Sequence, residues 1–241
     1  LHVRYADEAY PLPGSAPGDT YLNQDLIFEI AKKSGADAIH PGYGFLSENA
    51  AFSLRCADED LFFIGPSSHA IQLMGLKTEA RKLMETHGIP VVPGTGPMES
   101  ADMAAKCAEN IGYPVLIKAS AGGGGKGMRK VERPETFNES FEACRREAQS
   151  AFGDSSVYLE KYLEQPRHVE FQVLGDMYGD AVHLNERECS VQRRHQKIIE
   201  ETPSPVLDDD LREKMGKIAV AAASACEYYN AGTVEFLVDK H

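Results

Sequence analysis

The hydrophobic pattern of the first 90 residues switches between helical and strand spacing. Apolar residues recur at helical spacing from Leu22 to Ile30, and Gly35 follows them in the position of a helix C-cap. The later segments are predicted to be strands at 36–40 and 61–64 and helices at 49–58, 67–74 and 77–87. Strand, helix and strand in this order predict βαβ units on a parallel sheet.

Proline and glycine become frequent at 89–97, where we predict a domain boundary or hinge. Helices and strands then alternate around a glycine-rich loop. They are predicted as a helix at 100–111, strands at 114–119 and 128–131, a helix at 135–152 and a strand at 157–162. We interpret this unit as a small α+β lid and not as a continuation of the first sheet.

From residue 167 onward, apolar residues alternate with polar ones, as in a sheet with one buried face. Strands are predicted at 168–174, 181–185 and 232–238, and a helix that begins at Asp208 carries Cys226 on its apolar side. The chain is therefore predicted to be of mixed α/β and α+β class. We divide it into domains at 1–90, 91–163 and 164–241.

The composition indicates a folded globular protein and argues against several classes of partner. Hydrophobic residues make up 42% and charged residues 26%, which is typical of a folded globular chain. The net charge of −12 argues against nucleic acid or an anionic membrane as a partner, because both require clustered Lys and Arg. No apolar run reaches the roughly 18–20 residues of a membrane span. Five scattered cysteines without a C-x-x-C pair favour a reducing compartment.

The glycine-rich stretch AGGGGKG at 121–127 has more than one interpretation. Gly122, Gly124 and Gly127 have the spacing of a dinucleotide-binding loop, but a strand is predicted after them where that motif requires a helix. A Walker A loop requires lysine after its last glycine, and Met128 stands there. The context therefore disfavours the dinucleotide-binding loop and excludes Walker A. It favours a hairpin whose backbone N–H groups cover nucleotide phosphates, with a solvated turn as the alternative.

Several polar residues stand in apolar surroundings or form dense clusters. Lys118 lies on a predicted buried strand, where an ammonium needs a partner such as phosphate. The basic side chains of the polar stretch at 185–197, among them His195 and Lys197, suit phosphate or bicarbonate, although a solvated loop is the alternative. Glu235 is the one carboxylate of an apolar strand, so we predict that it is buried and either ligates Mg²⁺ or forms an ion pair.

In this order, the segments closely resemble the biotin carboxylase family of ATP-grasp enzymes, almost from end to end. The matching motifs are HPGYGFLSEN at 40–49, KASAGGGGKGM at 118–128, EKYL at 160–163, PRHVE at 166–170, CSVQRRHQKIIEE at 189–201 and AGTVEFL at 231–237. The resemblance implies an ATP-grasp fold with a partial Rossmann-like N-terminal domain. It also implies a chain that is incomplete at both ends, so we expect this piece alone to show negligible carboxylation.

The resemblance further implies a reaction and its partners. ATP would phosphorylate bicarbonate to carboxyphosphate, and the carboxyl group would then pass to biotin. The implied cofactors are ATP, Mg²⁺ or Mn²⁺, and biotin as a carrier-bound substrate. The implied partners are a biotin carboxyl carrier protein and a carboxyltransferase of an acetyl-, propionyl- or methylcrotonyl-CoA carboxylase or a pyruvate carboxylase, in a homo-oligomer or larger complex. The implied compartment is the cytoplasm, or the mitochondrial matrix in a eukaryote.

The resemblance also assigns roles to individual residues. Lys77 and Lys118 would hold phosphates, beneath a loop that contains Gly124 and Gly125. The rest of the nucleotide would contact Glu160, Lys161, Tyr162, Leu163, His168, Gln192 and His195. Lys197 would bind bicarbonate, with His195 beside it in the catalytic site, and Glu235 would ligate the metal. The alternatives are another ATP-grasp ligase, such as a carbamoyl-phosphate synthetase, and a module that only binds nucleotide or supports assembly.

Overall fold

The structure is a computed structural model that describes residues 2–121, 127–193 and 196–239, and only the backbone of Lys77. Gly124, Gly125 and His195 therefore lie outside the described residues. The chain forms two compact units. The first comprises Leu1–Leu76, Leu174–Val182 and Ala223–Gly232, and the second comprises Lys77–Val173, His183–Ala222 and Thr233–His241. Among the described residues, no helix has the length and apolar character needed to cross a membrane.

The elements follow the predicted order closely. The α-helices are α1 (Gln24–Ser34), α2 (Ala50–Asp58), α3 (Ser68–Gly75), α4 (Lys77–Thr86), α5 (Ala101–Ile111), α6 (Phe137–Phe152) and α7 (Asp209–Ala225). The strands are β1 (Ala38–Ile39), β2 (Phe62–Phe63), β3 (Val115–Ala119), β4 (Met128–Val131), β5 (Val157–Lys161), β6 (Arg167–Gly175), β7 (Ala181–Arg193), β8 (Gln196–Glu201) and β9 (Asn230–Val238).

Short polar side chains fix the starts of several helices. Asn23, Asn49, Ser67 and Ser100 each accept a hydrogen bond from the backbone N–H three residues later, at the first turns of α1, α2, α3 and α5. Gly35 ends α1 with a φ of 67°, which a residue with a Cβ adopts at a cost. Local sequence thus sets these boundaries.

The first unit contains the predicted parallel pairing. β1 pairs in parallel with β2, with Ala38 opposite Phe62, and α2 connects them as in a βαβ unit. Both strands are shorter than predicted. Phe28 of α1 and Phe52 of α2 belong to one buried cluster with Phe63 of β2, and the Phe52 and Phe63 rings meet edge-on at 6.0 Å between centroids.

The second unit contains the predicted α+β lid. Its sheet has the order β4-β3-β5, and both strand pairs are antiparallel. Val115, Ile117 and Leu159 are completely buried on the face that carries the core, together with Phe141 of α6 and Ala108 of α5. The opposite face of the sheet carries the alternate residues of each strand, and polar groups of the candidate site lie there.

We predicted a boundary or hinge at 89–97. In the structure, the overlapping segment 92–98 lies along the outer side of β5. The Lys161 N–H donates to the Pro93 carbonyl at 2.7 Å, the Thr95 N–H donates to the Leu159 carbonyl at 2.9 Å, and the Met98 N–H donates to the Val157 carbonyl at 2.7 Å. The Leu159 N–H donates to the Thr95 hydroxyl at 3.1 Å. This segment is therefore an integral part of the lid.

The third sheet corrects one prediction. Its strand order is β8-β7-β6-β9, and β7 pairs antiparallel with β8. We predicted that a strand ends at 185 and is followed by a polar stretch, whereas β7 continues to Arg193. Its polar side chains find partners within the fold: Glu186, Glu188 and Cys189 are all buried. A polar sequence can form a sheet interior when its charges are paired.

Candidate functional site

Lys118 has a protein partner in this structure. It lies on β3 opposite Met128 of β4 and Tyr158 of β5. Its Nζ atom forms an ion pair with the Glu160 carboxylate, and both side chains are partly buried. We had predicted phosphate as the partner on the basis of burial alone. The ammonium is thus held on the polar face of the lid, where an anionic ligand would compete with Glu160 for it.

The segment that follows Glu160 borders a cavity. The Tyr162 N–H donates to the Pro114 carbonyl at 3.1 Å, which holds the segment against the start of β3. The cavity has a volume of about 600 Å³, within the range of small-molecule sites. Its lining includes Pro114, Lys130, Lys161, Tyr162, Glu164, Gln165 and Asp239. Leu163 is half-buried at the same strand end.

Lys197 is the centre of a second charged cluster. Its Nζ atom forms ion pairs with Glu170 of β6 and with Glu235 of β9, the latter at 2.6 Å. The strand register places Gln192 of β7 directly opposite Lys197. The resemblance gives separate roles to Lys197, Glu235 and Gln192. The structure brings these three residues together on one face of the sheet.

The charges of this cluster favour each other's ionised forms. Burial disfavours the Lys197 ammonium, but hydrogen bonds to Glu170 and Glu235 outweigh it, so the pKa of Lys197 is raised. Burial likewise disfavours the Glu170 carboxylate, yet its bonds to Lys197 and Arg187 hold the pKa of Glu170 below its usual range. Lys197 is therefore a permanent cation with two anionic partners.

Several residues of the cluster were missed in the sequence. The Arg187 Nε atom donates to Glu170 at 2.7 Å and lies 3.4 Å from the Glu200 carboxylate. Carboxylate and thiol atoms of Glu170, Cys189 and Glu200 lie within 4.8 Å of one another, an arrangement that Arg187 and Lys197 neutralise. Burial raises the pKa of the Cys189 thiol to about 11. The sequence did contain a signal for Glu170, because this acidic residue stands between the apolar residues Val169 and Phe171 of β6.

The burial predicted for Glu235 is wrong. Its side chain is 66% exposed, because β9 lies at the end of the strand order and alternate residues of β9 face outward. An ion pair, which we gave as the alternative to Mg²⁺ ligation, is present on the surface with Lys197 as its partner. An exposed carboxylate beside a cation can exchange that partner for another.

His168 and Gln192 lie on neighbouring strands. The His168 N–H donates to the Ser190 hydroxyl at 2.8 Å, and the Gln192 side-chain amide donates to the Cys189 carbonyl at 2.9 Å. Lys77 is the first residue of α4. The contacts of His168 and Gln192 and the position of Lys77 do not test their predicted roles, which stay predictions.

A buried acidic pair supports the cluster from β7. The Glu186 Oε1 atom accepts from the Ser204 N–H at 3.0 Å and from the Arg212 Nε atom at 2.8 Å. Glu188 accepts from the Ser204 hydroxyl at 2.9 Å. Arg212 also donates to the Leu207 carbonyl at 3.1 Å. These bonds join β7, the loop after β8 and α7.

We predict that acidification destabilises the protein in part through Glu186. Burial opposes its ionisation, but bonds from Arg212 and Ser204 outweigh burial and lower the pKa of Glu186. The carboxylate thus stabilises the fold above its unfolded pKa of about 4.3, and this contribution disappears as pH falls through the lower folded value. Urea unfolding from pH 7 to pH 3 should show a shallower decline below about pH 4.5 for Glu186→Gln. Equal declines would contradict the prediction.

Two family models match the chain. The biotin carboxylase N-terminal domain matches residues 1–71. The ATP binding domain of the carbamoyl-phosphate synthase L chain matches residues 77–241. The two matches follow each other in the order that the motifs predicted.

Relatives of the chain include longer biotin carboxylases. The chain is 54% identical over 241 residues to a biotin carboxylase of Nostoc sp., and covers 100% of its own length and 54% of that protein. It is 53% identical over 240 residues to biotin carboxylase 2 of Bacillus subtilis, and covers 99% of its own length and 54% of that protein. The chain therefore spans about half the length of these relatives.

Solved structures share the fold at similar coverage. The biotin carboxylase–β,γ-ATP complex from Campylobacter jejuni has a TM-score of 0.89 and 47% identity, over 100% of this chain and 54% of that one. The biotin carboxylase domain dimer of Hydrogenobacter thermophilus 2-oxoglutarate carboxylase, in complex with MgADP, ADP and bicarbonate, has a TM-score of 0.85 and 49% identity, over 99% of this chain and 53% of that one.

Proposed function

Because the chain belongs to the biotin carboxylase family of ATP-grasp enzymes, we propose that it binds ATP and bicarbonate for the carboxylation of biotin on a carrier protein. The observation that carries the proposal is the position of Lys197, which lies between Glu170 and the exposed Glu235 and opposite Gln192. A fixed cation with a replaceable anionic partner is suited to a small anion such as bicarbonate. The complex of the Hydrogenobacter protein with MgADP and bicarbonate supports this assignment.

The proposed reaction has two steps. A bicarbonate oxygen attacks the γ-phosphorus of ATP, the bond to the bridging oxygen breaks, and ADP leaves with the electron pair to give carboxyphosphate. The ureido nitrogen of biotin then attacks the carboxyl carbon, and phosphate leaves and takes up the ureido proton. In this proposal Lys197 holds the bicarbonate and neutralises its charge, and Lys118 neutralises phosphate charge. Such reactions depend on positioning and charge neutralisation more than on covalent catalysis by side chains.

The donor set fits an oxygen-ligated divalent cation. Mg²⁺ bound with nucleotide phosphates typically takes one or two carboxylates and completes its shell with phosphate oxygens and water. Glu235 offers such a carboxylate, and its exposure leaves room for phosphate and water. Mg²⁺, or Mn²⁺ in its place, would supply neutralisation of the phosphate charge. Glu235 would hold the ion in place of its present contact with Lys197.

The remaining assignments belong to the same proposal. Lys77 would join Lys118 at the phosphates, with Gly124 and Gly125 above them and His195 next to the bicarbonate. The segment from Glu160 to Leu163 would contact the base, and His168 and Gln192 would complete the nucleotide site. The cavity beside Lys161 and Tyr162 supports a base at this strand end.

The proposal extends to partners and compartment. A biotin carboxyl carrier protein would present the biotin, and a carboxyltransferase would receive the carboxyl group, in a homo-oligomeric or larger assembly. The dimer of the Hydrogenobacter domain supports self-association. All five cysteines are free thiols, which supports a reducing compartment, the cytoplasm or the mitochondrial matrix.

The direct test measures ADP release by the purified full-length protein with ATP and Mg²⁺. We expect turnover that depends on bicarbonate and rises when free biotin or the carrier protein is added. Turnover without bicarbonate dependence would contradict the proposal. Bicarbonate dependence without any response to biotin would instead indicate another ATP-grasp ligase, such as a carbamoyl-phosphate synthetase. Nucleotide binding without turnover would indicate a binding or assembly module.

We predict that Lys118→Gln weakens ATP binding at least about tenfold, because a charged hydrogen bond to phosphate is lost. Isothermal titration of the protein with ATP and Mg²⁺ gives the affinity. Lys106→Gln is the matched control, since Lys106 is exposed on α5 and should leave the affinity unchanged. Unchanged affinity in Lys118→Gln would favour the solvated-turn interpretation of the glycine-rich loop.

A further inference from the structure

The Lys161 side chain is anchored on the helix before the lid sheet. Its Nζ atom donates to the Gly112 carbonyl at 2.7 Å and to the Tyr113 carbonyl at 3.0 Å. Gly112 is the C-cap of α5, where carbonyl groups point out of the helix and the helix dipole is negative. An ammonium at this position is favoured by both effects. Two of the three N–H donors of the Lys161 ammonium are therefore taken by backbone carbonyls, which anchors the side chain on the end of α5.

The backbone around Lys161 is fixed from two further directions. The Lys161 N–H donates to the Pro93 carbonyl at 2.7 Å, and the Tyr162 N–H donates to the Pro114 carbonyl at 3.1 Å. With the side-chain anchor, the strand end is thus tied to residues 93, 112–113 and 114. These three attachments, all at Lys161 and Tyr162, restrict rotation of the Lys161 carbonyl and set the direction in which the chain continues to Leu163.

The space beside this strand end is preformed. Lys161 and Tyr162 line the cavity of about 600 Å³, and Lys130 lies over the Tyr162 ring at 4.1 Å from its centroid. The contact between Lys130 and Tyr162 holds one wall of the cavity in place. Backbone groups that form hydrogen bonds to a planar base must be held close to the productive geometry by their surroundings, and the bonds at Lys161 and Tyr162 provide such support.

We propose that the Lys161 ammonium is a positioning residue for base recognition, which sets the preference for adenine over guanine by fixing the backbone of residues 161–163. This inference rests on the proposed function, in which that backbone faces the base. Adenine and guanine present opposite donor and acceptor groups on the edge that a backbone carbonyl and N–H can contact. Discrimination between them therefore depends on the orientation of those two groups.

The test compares Lys161→Met and Lys161→Arg by isothermal titration with ADP, GDP and pyrophosphate in the presence of Mg²⁺. We expect Lys161→Met to weaken ADP binding about tenfold, to leave pyrophosphate binding unchanged and to reduce the ratio of ADP to GDP affinity about tenfold. Lys161→Arg keeps a donor to both carbonyls and should restore most of that ratio. Lys106→Met, which removes an exposed ammonium from α5, should behave as wild type.

Several results would overturn the inference. An unchanged ADP to GDP ratio in Lys161→Met would show that the anchor does not affect base recognition. Equal losses for ADP and pyrophosphate would show a general loss of structure. Wild-type protein that binds ADP without preference over GDP would refute the inference and leave the proposed function standing. Wild-type protein that binds no nucleotide would refute both.

Discussion

Replacing Lys197 with methionine is expected to lower bicarbonate-dependent ADP release at least about 100-fold, the loss typical of removing one preorganised charge at a reacting anion. Lys197 is the cation between Glu170 and Glu235, and its raised pKa keeps it charged throughout the neutral range. ATP affinity should not fall, because the substitution frees the Glu235 carboxylate for a metal ion. The measurements, made on the full-length protein with each substitution, are steady-state ADP release and titration with ATP and Mg²⁺.

A matched variant separates this effect from a general loss of positive charge. Lys214→Met removes an exposed ammonium from α7 and should retain wild-type turnover. Glu170 keeps its contact with Arg187 in Lys197→Met, so the fold should persist, which circular dichroism can verify. A Lys197→Met protein that is folded and turns over at the wild-type rate would contradict the bicarbonate assignment.

Replacing Arg212 with methionine is expected to cause the largest loss of stability. The Glu186 side chain is completely buried, and its Oε2 atom has no partner among the described residues, so Arg212 is its counter-ion. Leaving Glu186 as an uncompensated buried charge should cost about 3–5 kcal/mol of unfolding free energy. Urea denaturation at pH 7 gives this value from the shift in midpoint.

Two comparisons show whether the buried charge is the cause. Lys217→Met breaks the exposed pair of Lys217 with Glu213 on the same helix and should leave the urea midpoint almost unchanged, because solvent screens an exposed pair. Glu186→Gln combined with Arg212→Met removes the charge and should recover much of the lost stability. If the double variant is no more stable than Arg212→Met, lost packing of the arginine stem is the better explanation.

Much of the fold could be predicted because the relevant information is local. Helix starts at Asn23, Asn49 and Ser100 follow from side-chain caps, and the lid follows from the order of helix and strand periodicities. The parallel pairing of β1 with β2 also follows from their spacing. Local signals of this kind act within a few residues, so a single sequence displays them directly.

The site was predicted less completely because its energetics depend on distant partners. Glu186 is buried through Arg212, 26 residues away, and Glu170 through Lys197, 27 residues away. Without these partners the stretch at 186–193 looks like a solvated loop, so its strand was missed. The predicted burial of Glu235 was wrong for the opposite reason. Its apolar neighbours in the sequence suggested burial, but β9 lies at the end of the strand order and leaves the side chain exposed.

The segment 92–98 also protects the lid from association with other chains. It occupies the outward-facing backbone groups of Val157, Leu159 and Lys161, which an exposed β5 would offer to any neighbouring strand. A Cβ on Gly94 would lie 2.4 Å from the Leu159 carbonyl oxygen, so glycine is what allows the segment to lie this close. The segment 92–98 therefore also prevents aggregation through strand pairing at β5.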